Sequence, residues 1–532
     1  MGKKPGKSTG SQVPAQLEAK FQQALKLHQT GKLAQAKQLY EDIRVDLPDH
    51  FQLINMLGIV TMQSRSYADA ISLFDRAIAL NPGYAETYCN RGIAFKESGR
   101  FIEAAASFSQ AIERKSDSAE AYYHRGNVMI ELGRCDDALA DFDKAAGLKP
   151  NDPLIYASRA IALTRLGELE AAVASYDQAI SLRPDYAIAF SNRGIVLNKL
   201  NRHKDAIVSL DKAISLQPDY AAAYWNKALC LLVTGDFEHG LPFYEWRWRI
   251  TAFARGRKNV AQPFWSGKES LSGKTILLYS EQGFGDAIQF CRYAALVAAR
   301  GARVILEVQP ALTRLFRDLD GVDAIVSRGE PLPAFDYHCP LLSLPLAFGT
   351  RLDTIPASAG YLHVDSDIRA RWAERLGPAE KPRVGLVWSG SVTNTNDHNR
   401  SLAVDELLQN LPDNCHYISL QKEIRNEDKQ ALQLHPELLH FGDELHDFAD
   451  TAALCDLMDI VISVDTSVAH LSGALGKPTW VLLPYSPDWR WLLERSDSPW
   501  YPAMTLYRQT APGDWNPVIS SIGEALAEAF PE

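Results

Sequence analysis

The sequence predicts two architectures in series: an all-α solenoid of stacked helix pairs, then an α/β region made of two consecutive halves. Three observations predict this. A small residue recurs every 34 positions from Gly58 to Ala228. From Lys274 onward, short apolar, β-branched runs alternate with helical patterns, the order expected of a parallel sheet with crossover helices. Between the two, the repeat pattern dissolves into Tyr244-Glu-Trp246-Arg-Trp248-Arg249 and a stretch punctuated by Gly256, Pro263, Gly267 and Gly273.

The solenoid is legible position by position. Gly58, Gly92, Gly126, Ala160, Gly194 and Ala228 mark the period. Twelve residues after the first five stand Ala70, Ala104, Ala138, Ala172 and Ala206, and sixteen residues after stand Phe74, Phe108, Phe142, Tyr176 and Leu210. A closing proline follows at Pro48, Pro82, Pro150, Pro184 and Pro218, with Ser116 in the vacant slot. Small residues let paired helices approach, the aromatic fills the space between them, and proline stops the second helix. This is the pattern of the tetratricopeptide (TPR) repeat, a helix–turn–helix unit. Extrapolating back through Ala36, Tyr40 and Pro48 starts the array near Val13, so the solenoid is expected over residues 13–250 as about seven units, the last degenerate.

Because the period is structural, residues at one phase form a ladder along the solenoid. Asn90, His124, Ser158, Asn192 and Asn226 make one; Arg91, Arg125, Arg159, Arg193 and Lys227 make the next. Amides donate and accept together, so Asn90, Asn192 and Asn226, with His124, can hold a peptide backbone without reading its sequence. The cationic ladder either serves the same groove or pairs with nearby acids such as Glu97, Asp137 and Asp141.

Composition narrows the function classes. Apolar residues make up 46% and charged residues 23%, a globular profile. The net charge of -10 gives no general footprint for nucleic acid. Seven cysteines without a C-x-x-C pair encode neither a zinc site nor a disulfide frame. No apolar run approaches the roughly 20 residues that span a bilayer. Residues 1–12 are basic and lack the apolar core of a secretory signal, and read as a disordered tail. Together these predict a soluble, cytoplasmic protein.

After a linker at 251–273, the α/β region divides into halves at 274–375 and 376–532. Strands are expected at Thr275–Ser280, Arg303–Val308, Asp323–Ser327 and Tyr337–Cys339 in the first half. The second half is expected to hold Arg383–Ser389, His416–Leu420, Leu438–Phe441, Asp459–Val464 and Thr479–Leu483. Two Rossmann-like halves fit this length better than one sheet.

Chemistry is expected at strand ends, where open α/β sheets bind ligands. The richest is Asp465-Thr466-Ser467-Val-Ala-His470, where Thr466 and Ser467 are N-cap candidates for a helix whose free N–H groups and dipole favour an anion. The alternative is an ordinary strand–helix–strand unit whose aspartate only caps. In the first half, Glu281-Gln-Gly283-Phe-Gly285-Asp286 makes a tight turn into a helix, and Ile288 replaces the third glycine of a dinucleotide fingerprint. Asp286 is then either a general base for a hydroxyl or a helix cap, with Glu281 or His398 as the next candidate base. Ser389-Gly390, Arg400 and Gln421-Lys422 end or follow neighbouring strands, and Arg400 and Lys422 can neutralise phosphates. Asp397 and His398 lack a third ligand, so no metal site is expected.

Gly283-Phe-Gly285-Asp286, with Asp465-Thr466-Ser467-x-x-His470-x-x-x-Ala474-x-Gly476, resembles the GT-B glycosyltransferases of the heptosyltransferase type over about residues 274–510. The resemblance implies a GT-B fold, two Rossmann-like domains facing a cleft, the first for the acceptor and the second for a nucleotide-sugar. It implies Asp286 as catalytic base. It implies Asp465, Thr466, Ser467, His470 and Arg400 as donor ligands, to which Ser389, Gly390, Gln421 and Lys422 add neighbouring strand ends. Such enzymes need no metal or cofactor. The coupling of TPR repeats to this half also resembles protein O-glycosyltransferases, including O-GlcNAc transferases and bacterial TPR-bearing flagellin glycosyltransferases. The expected activity is transfer of a sugar from a nucleotide-sugar to a protein chosen by the solenoid. The alternatives are a glycan or lipid acceptor with the repeats binding a partner, or an inactive protein-binding scaffold.

Overall fold

The computed structural model describes residues 15–392 and 396–531. The expected tail at 1–12 and the array's start at Val13 lie outside these. The chain forms two compact units, Met1–Val196 and Leu197–Glu532.

The first unit is all-helical. Helix pairs run from Ala15–Gln29 with Leu33–Asp46 to Pro153–Leu166 with Leu169–Leu182, two helices to every repeat. The fixed small residue is explained by the aromatic sixteen positions on. A methyl group at Gly58, Gly92 or Gly126 would come within 2.6 to 2.8 Å of the ring of Phe74, Phe108 or Phe142. Those rings are fully buried, each worth about 1.5–3 kcal/mol of hydrophobic stabilisation. The turn between paired helices needs a left-handed residue, supplied at Gly31, Gly99, Gly133 and Gly167 and by Arg65 at φ 63°. Glycine takes that conformation without steric cost, whereas Arg65 is strained there.

The cationic ladder is consumed inside the repeats. Arg91 pairs with Asp75 at 2.7 Å, Arg159 with Asp143 at 2.6 Å and Arg193 with Asp177 at 2.6 Å, each acid sixteen residues earlier. Ser109 occupies that slot before Arg125, which instead takes Asp141, sixteen residues later, through two hydrogen bonds of 2.8 and 2.6 Å. Of the acids expected to pair, Asp141 does so. Glu97 binds Lys96 and Asp137 binds Arg134, because the partners are set by helix packing rather than by nearness in sequence.

The second unit opens with helices His203–Leu216, Ala221–Val233 and Phe237–Tyr244. The cationic phase continues there, with Lys227 on Asp211 at 2.5 Å. Two parallel sheets follow. The first holds β1 (Thr275–Tyr279), β2 (Arg303–Val308), β3 (Ala324–Ser327) and β4 (Tyr337–Pro340) in the order β3-β2-β1-β4. The second holds β5 (Arg383–Val387), β6 (His416–Ser419), β7 (Leu439–His440), β8 (Ile460–Val464), β9 (Thr479–Leu483) and β10 (Met504–Arg508) in the order β10-β9-β8-β5-β6-β7. All the pairings are parallel. The central strands β1, β5 and β8 are buried nearly throughout, which is why they read as unbroken apolar runs. β10 is an edge strand with half-buried positions, and its sequence carries no such run.

The stretch expected as a linker is built into this unit. Trp265 and Leu271 are buried in the same apolar cluster as Leu232, Tyr244, Ile276 and Val481, and Phe264 bridges to His338 of β4. No helix among the described residues is long and apolar enough to cross a membrane.

Candidate active site

The two motifs meet where two helices abut. One helix, Phe284–Phe290, follows β1; the other, Ser467–Ala474, follows β8. Gly285 permits the contact: a methyl group there would lie 2.8 Å from Cδ2 of His470 and 3.5 Å from Cα of Ser467.

Asp286 occupies the third position of its helix, and its Oδ2 accepts the Gly283 N–H at 2.8 Å. It therefore does bind the helix start, while its Oδ1 accepts from Arg490 of the other half. Burial raises the Asp286 pKa, opposed by the Arg490 guanidinium and the Gly283 N–H. Arg490 is held on every side. It donates to Gln289 Oε1 at 2.7 Å and Asp488 Oδ1 at 2.9 Å, and its guanidinium lies over the rings of Trp489 and Phe290.

His470 is buried, accepts or donates at Nδ1 with the Tyr501 hydroxyl at 2.9 Å, and stacks on Trp491 at 5.2 Å. Burial, reinforced by Arg490, Arg292 and Arg400, holds its pKa well below the ordinary value, so the ring is neutral. Its Nε2 stands 4.0 Å from Asp465 Oδ1. Burial and the Asp488 carboxylate push Asp465 up to about 6, against Arg400 and the Trp491 indole. Thr466 is the N-cap by backbone angle but makes no side-chain cap; its hydroxyl meets Ser463 Oγ at 3.2 Å. Thr466 is thus a cap by position rather than by hydrogen bond.

Arg400 donates to the Asp465 carbonyl at 2.6 Å and to Asp397 Oδ1 at 3.2 Å. Gly390 leaves room for this, since a methyl group there would collide with both side chains. Asp397 also binds Arg425, so it is committed to two arginines. Gln421 ties two strand ends together, its Oε1 accepting from the N–H groups of Trp388 and Ser389 at 2.9 Å each. Lys422 is exposed and donates to the His446 carbonyl at 3.0 Å, and His398 is exposed.

Glu281 sits five residues before Asp286 with its side chain only 1% exposed. Its Oε1 accepts from Arg247 at 3.1 Å and the Leu342 N–H at 3.3 Å, while its Oε2 meets no donor among the described residues. Arg247, fully buried, also binds Glu245 at 2.5 Å and Ser343 at 2.7 Å. The aromatic-basic segment after the last repeat thereby grips the loop that leads to Asp286. Burial, with Asp286 adding to it, pushes Glu281 up to about 7.

In the first unit Asn90, His124 and Asn192 are half-buried, and His124 stacks on Phe108 at 5.7 Å; Ser158 of the same phase is buried. Asn226, in the second unit, is half-buried. Sequence reasoning missed Arg490, Asp488, Gln289, Trp491 and Tyr501. A signal existed: Pro487-Asp488-Trp489-Arg490-Trp491 follows β9 at the same carboxyl edge as Asp465. The loop then turns on Leu492, buried with φ 54°, an uncommon angle for that residue. Arg508 of β10 clamps the Trp491 and Leu492 carbonyls at 2.6 and 3.0 Å.

Comparison with known proteins finds tetratricopeptide repeats in the first part of the chain. Residues 21–85 and 89–153 match the tetratricopeptide repeat family, 162–201 a TPR repeat and 187–220 a further tetratricopeptide repeat. Protein FlbA of Caulobacter vibrioides is 26% identical over 331 residues, 57% of this chain and 54% of FlbA, so the chain spans about half the length of that curated relative. Among solved structures, YrrB, a TPR protein with an unusual peptide-binding site, is 23% identical over 36% of this chain and 98% of its own, with a TM-score of 0.32. A TPR protein of Parabacteroides merdae is 18% identical over 43% of this chain and 91% of its own, with a TM-score of 0.37. The chain carries N-terminal tetratricopeptide repeats, followed by an α/β region of two parallel sheets.

Proposed function

We propose that the chain is a metal-independent glycosyltransferase of GT-B type that moves a sugar from a nucleotide-sugar to a protein held by the repeats. The observation that carries this is the contact of Gly285 with His470 and Ser467, which brings the carboxylate of one motif beside the helix start of the other. Asp286 takes the proton of the acceptor hydroxyl, whose oxygen bonds to the anomeric carbon. The bond from that carbon to the diphosphate breaks, and its electron pair leaves with the nucleoside diphosphate. The N–H groups opening the Ser467–Ala474 helix, with Arg400 behind Asp465, receive that negative charge. Neutral His470 offers a hydrogen bond at Nε2 rather than a charge. A protein acceptor follows from the repeats, whose amides at Asn90, Asn192 and Asn226 suit an extended backbone.

A thermal-shift panel of UDP-, GDP-, ADP- and CMP-sugars identifies the donor, and hydrolysis of that donor separates an enzyme from a scaffold. Asp286→Asn keeps the size and accepts the Gly283 N–H through its amide oxygen but removes the base. Transfer should fall by about 10²–10⁴-fold with donor affinity nearly unchanged. Transfer at the parent rate means that the base lies elsewhere and the reading fails.

A further inference from the structure

We infer that Arg490 is a positioning residue for Asp286: it fixes the carboxylate's orientation, so that a free lone pair is aimed to accept a proton. This rests on the glycosyltransferase reading above and adds a residue that neither motif contains. Asp286 is gripped at both oxygens, Oδ2 by the Gly283 N–H at 2.8 Å and Oδ1 by Arg490. Two donors at different oxygens fix the carboxylate plane, leaving the remaining lone pairs in a set direction. Arg490 cannot readily swing away. Gln289 and Asp488 hold its Nε and Nη1, and the rings of Trp489 and Phe290 lie 4.7 and 5.4 Å from its guanidinium carbon. The loop behind it is locked in turn by Arg508 on the Trp491 and Leu492 carbonyls.

The need for a fixed cation follows from the surroundings. Burial of most of the Asp286 side chain favours its neutral form, and a protonated Asp286 cannot be a base. The charges that bear on it come from three sides. Asp488, on the loop with Arg490, disfavours its ionisation; Arg247, from the segment after the last helix pair, favours it more weakly than Arg490; Glu281, on its own loop, is itself pushed up to about 7, in part by Asp286. Tyr244 packs nearby with its phenol raised far above the ordinary range and stays neutral, as does His470 opposite Gly285. Arg490 is thus the principal cation at this carboxylate.

The test uses the full chain and two variants, Arg490→Gln and Arg490→Lys. An opposite charge at this range lowers a carboxylate's pKa by about 1–3 units. Removing it should move the acid limb of the kcat profile up by about 1–3 pH units, with activity recovering toward alkaline pH. Arg490→Lys should restore much of the limb's position with a lower plateau, because one ammonium replaces a planar fork. Donor KM should change less than threefold. Loss of rate by the same factor at every pH, or an unmoved acid limb, overturns the assignment. So does weakened donor affinity with kcat intact, since that identifies a phosphate ligand. A readout free of activity is the carboxyl 13C titration of Asp286, assigned by its loss in Asp286→Asn. Its midpoint should rise in Arg490→Gln, and an unchanged midpoint overturns the role of Arg490. A raised midpoint alongside a fully active Asp286→Asn overturns the glycosyltransferase reading instead.

Discussion

Gly285→Ala is the sharpest probe of the contact on which the site is built. The new methyl would stand 2.8 Å from Cδ2 of His470, closer than such atoms come, and ordinary contact begins at 3.4 Å. The ring has nowhere to go: Nδ1 is bound to the Tyr501 hydroxyl at 2.9 Å and the face is stacked on Trp491 at 5.2 Å. The two helices must therefore part by about half an ångström, a cost of about 1–3 kcal/mol for an overfilled core. Because a misplacement of about 1 Å can reduce a rate about 10²-fold, transfer should fall by roughly tenfold. Gly283→Ala is the control. It controls for stability: its nearest neighbour is Asp286 Oδ2 at 3.3 Å, a mildly tight contact with the end of a side chain, its φ of -73° suits alanine and its N–H is kept, so its stability should stay within about 0.5 kcal/mol of the parent. Urea unfolding followed by tryptophan fluorescence reads the first effect and sugar transfer the second. If Gly285→Ala matches the control in stability and the parent in both stability and rate, the two helices do not meet as described.

Two further outcomes follow from buried groups. Burial raises Glu281 from 4.5 to about 7, so folding favours its protonated form. The stability this contributes is complete below about pH 4.5 and lost as pH rises through about 7, amounting to up to about 3 kcal/mol. The difference between parent and Glu281→Gln stability curves should slope across that window, and parallel curves would falsify the assignment. His470→Ala should weaken donor binding by about 1.5–3 kcal/mol, as for a hydrogen bond to a charged phosphate. It should also lower stability by a comparable amount, because the ring is buried and its loss leaves a cavity and takes away one of the Tyr501 hydroxyl's partners, the other being Tyr361. Unchanged affinity by calorimetry in a folded variant removes His470 from the donor site.

The repeats were readable because their constraints are local and recur: a glycine or alanine every 34 residues answers an aromatic sixteen positions later, and each repeat states the rule again. Strands β1, β5 and β8 were readable because full burial leaves an unbroken apolar run, and Asp465 and Asp286 because helix starts favour particular polar residues. The left-handed residue between paired helices follows the same period, from Gly31 through Arg65 and Gly99 to Gly167, yet Arg65 hides it. β10 escaped notice because an edge strand is only half buried.

What only the tertiary structure decided is who pairs with whom. Arg490 stands 204 residues from Asp286, and Arg247 reaches Glu281 across 34; neither spacing belongs to a helix or a strand. Periodicity records which face of an element is buried, but not which element lies against it. A long-range ion pair is therefore invisible until packing brings its two charges into the same dry space, where each makes the other's burial tolerable.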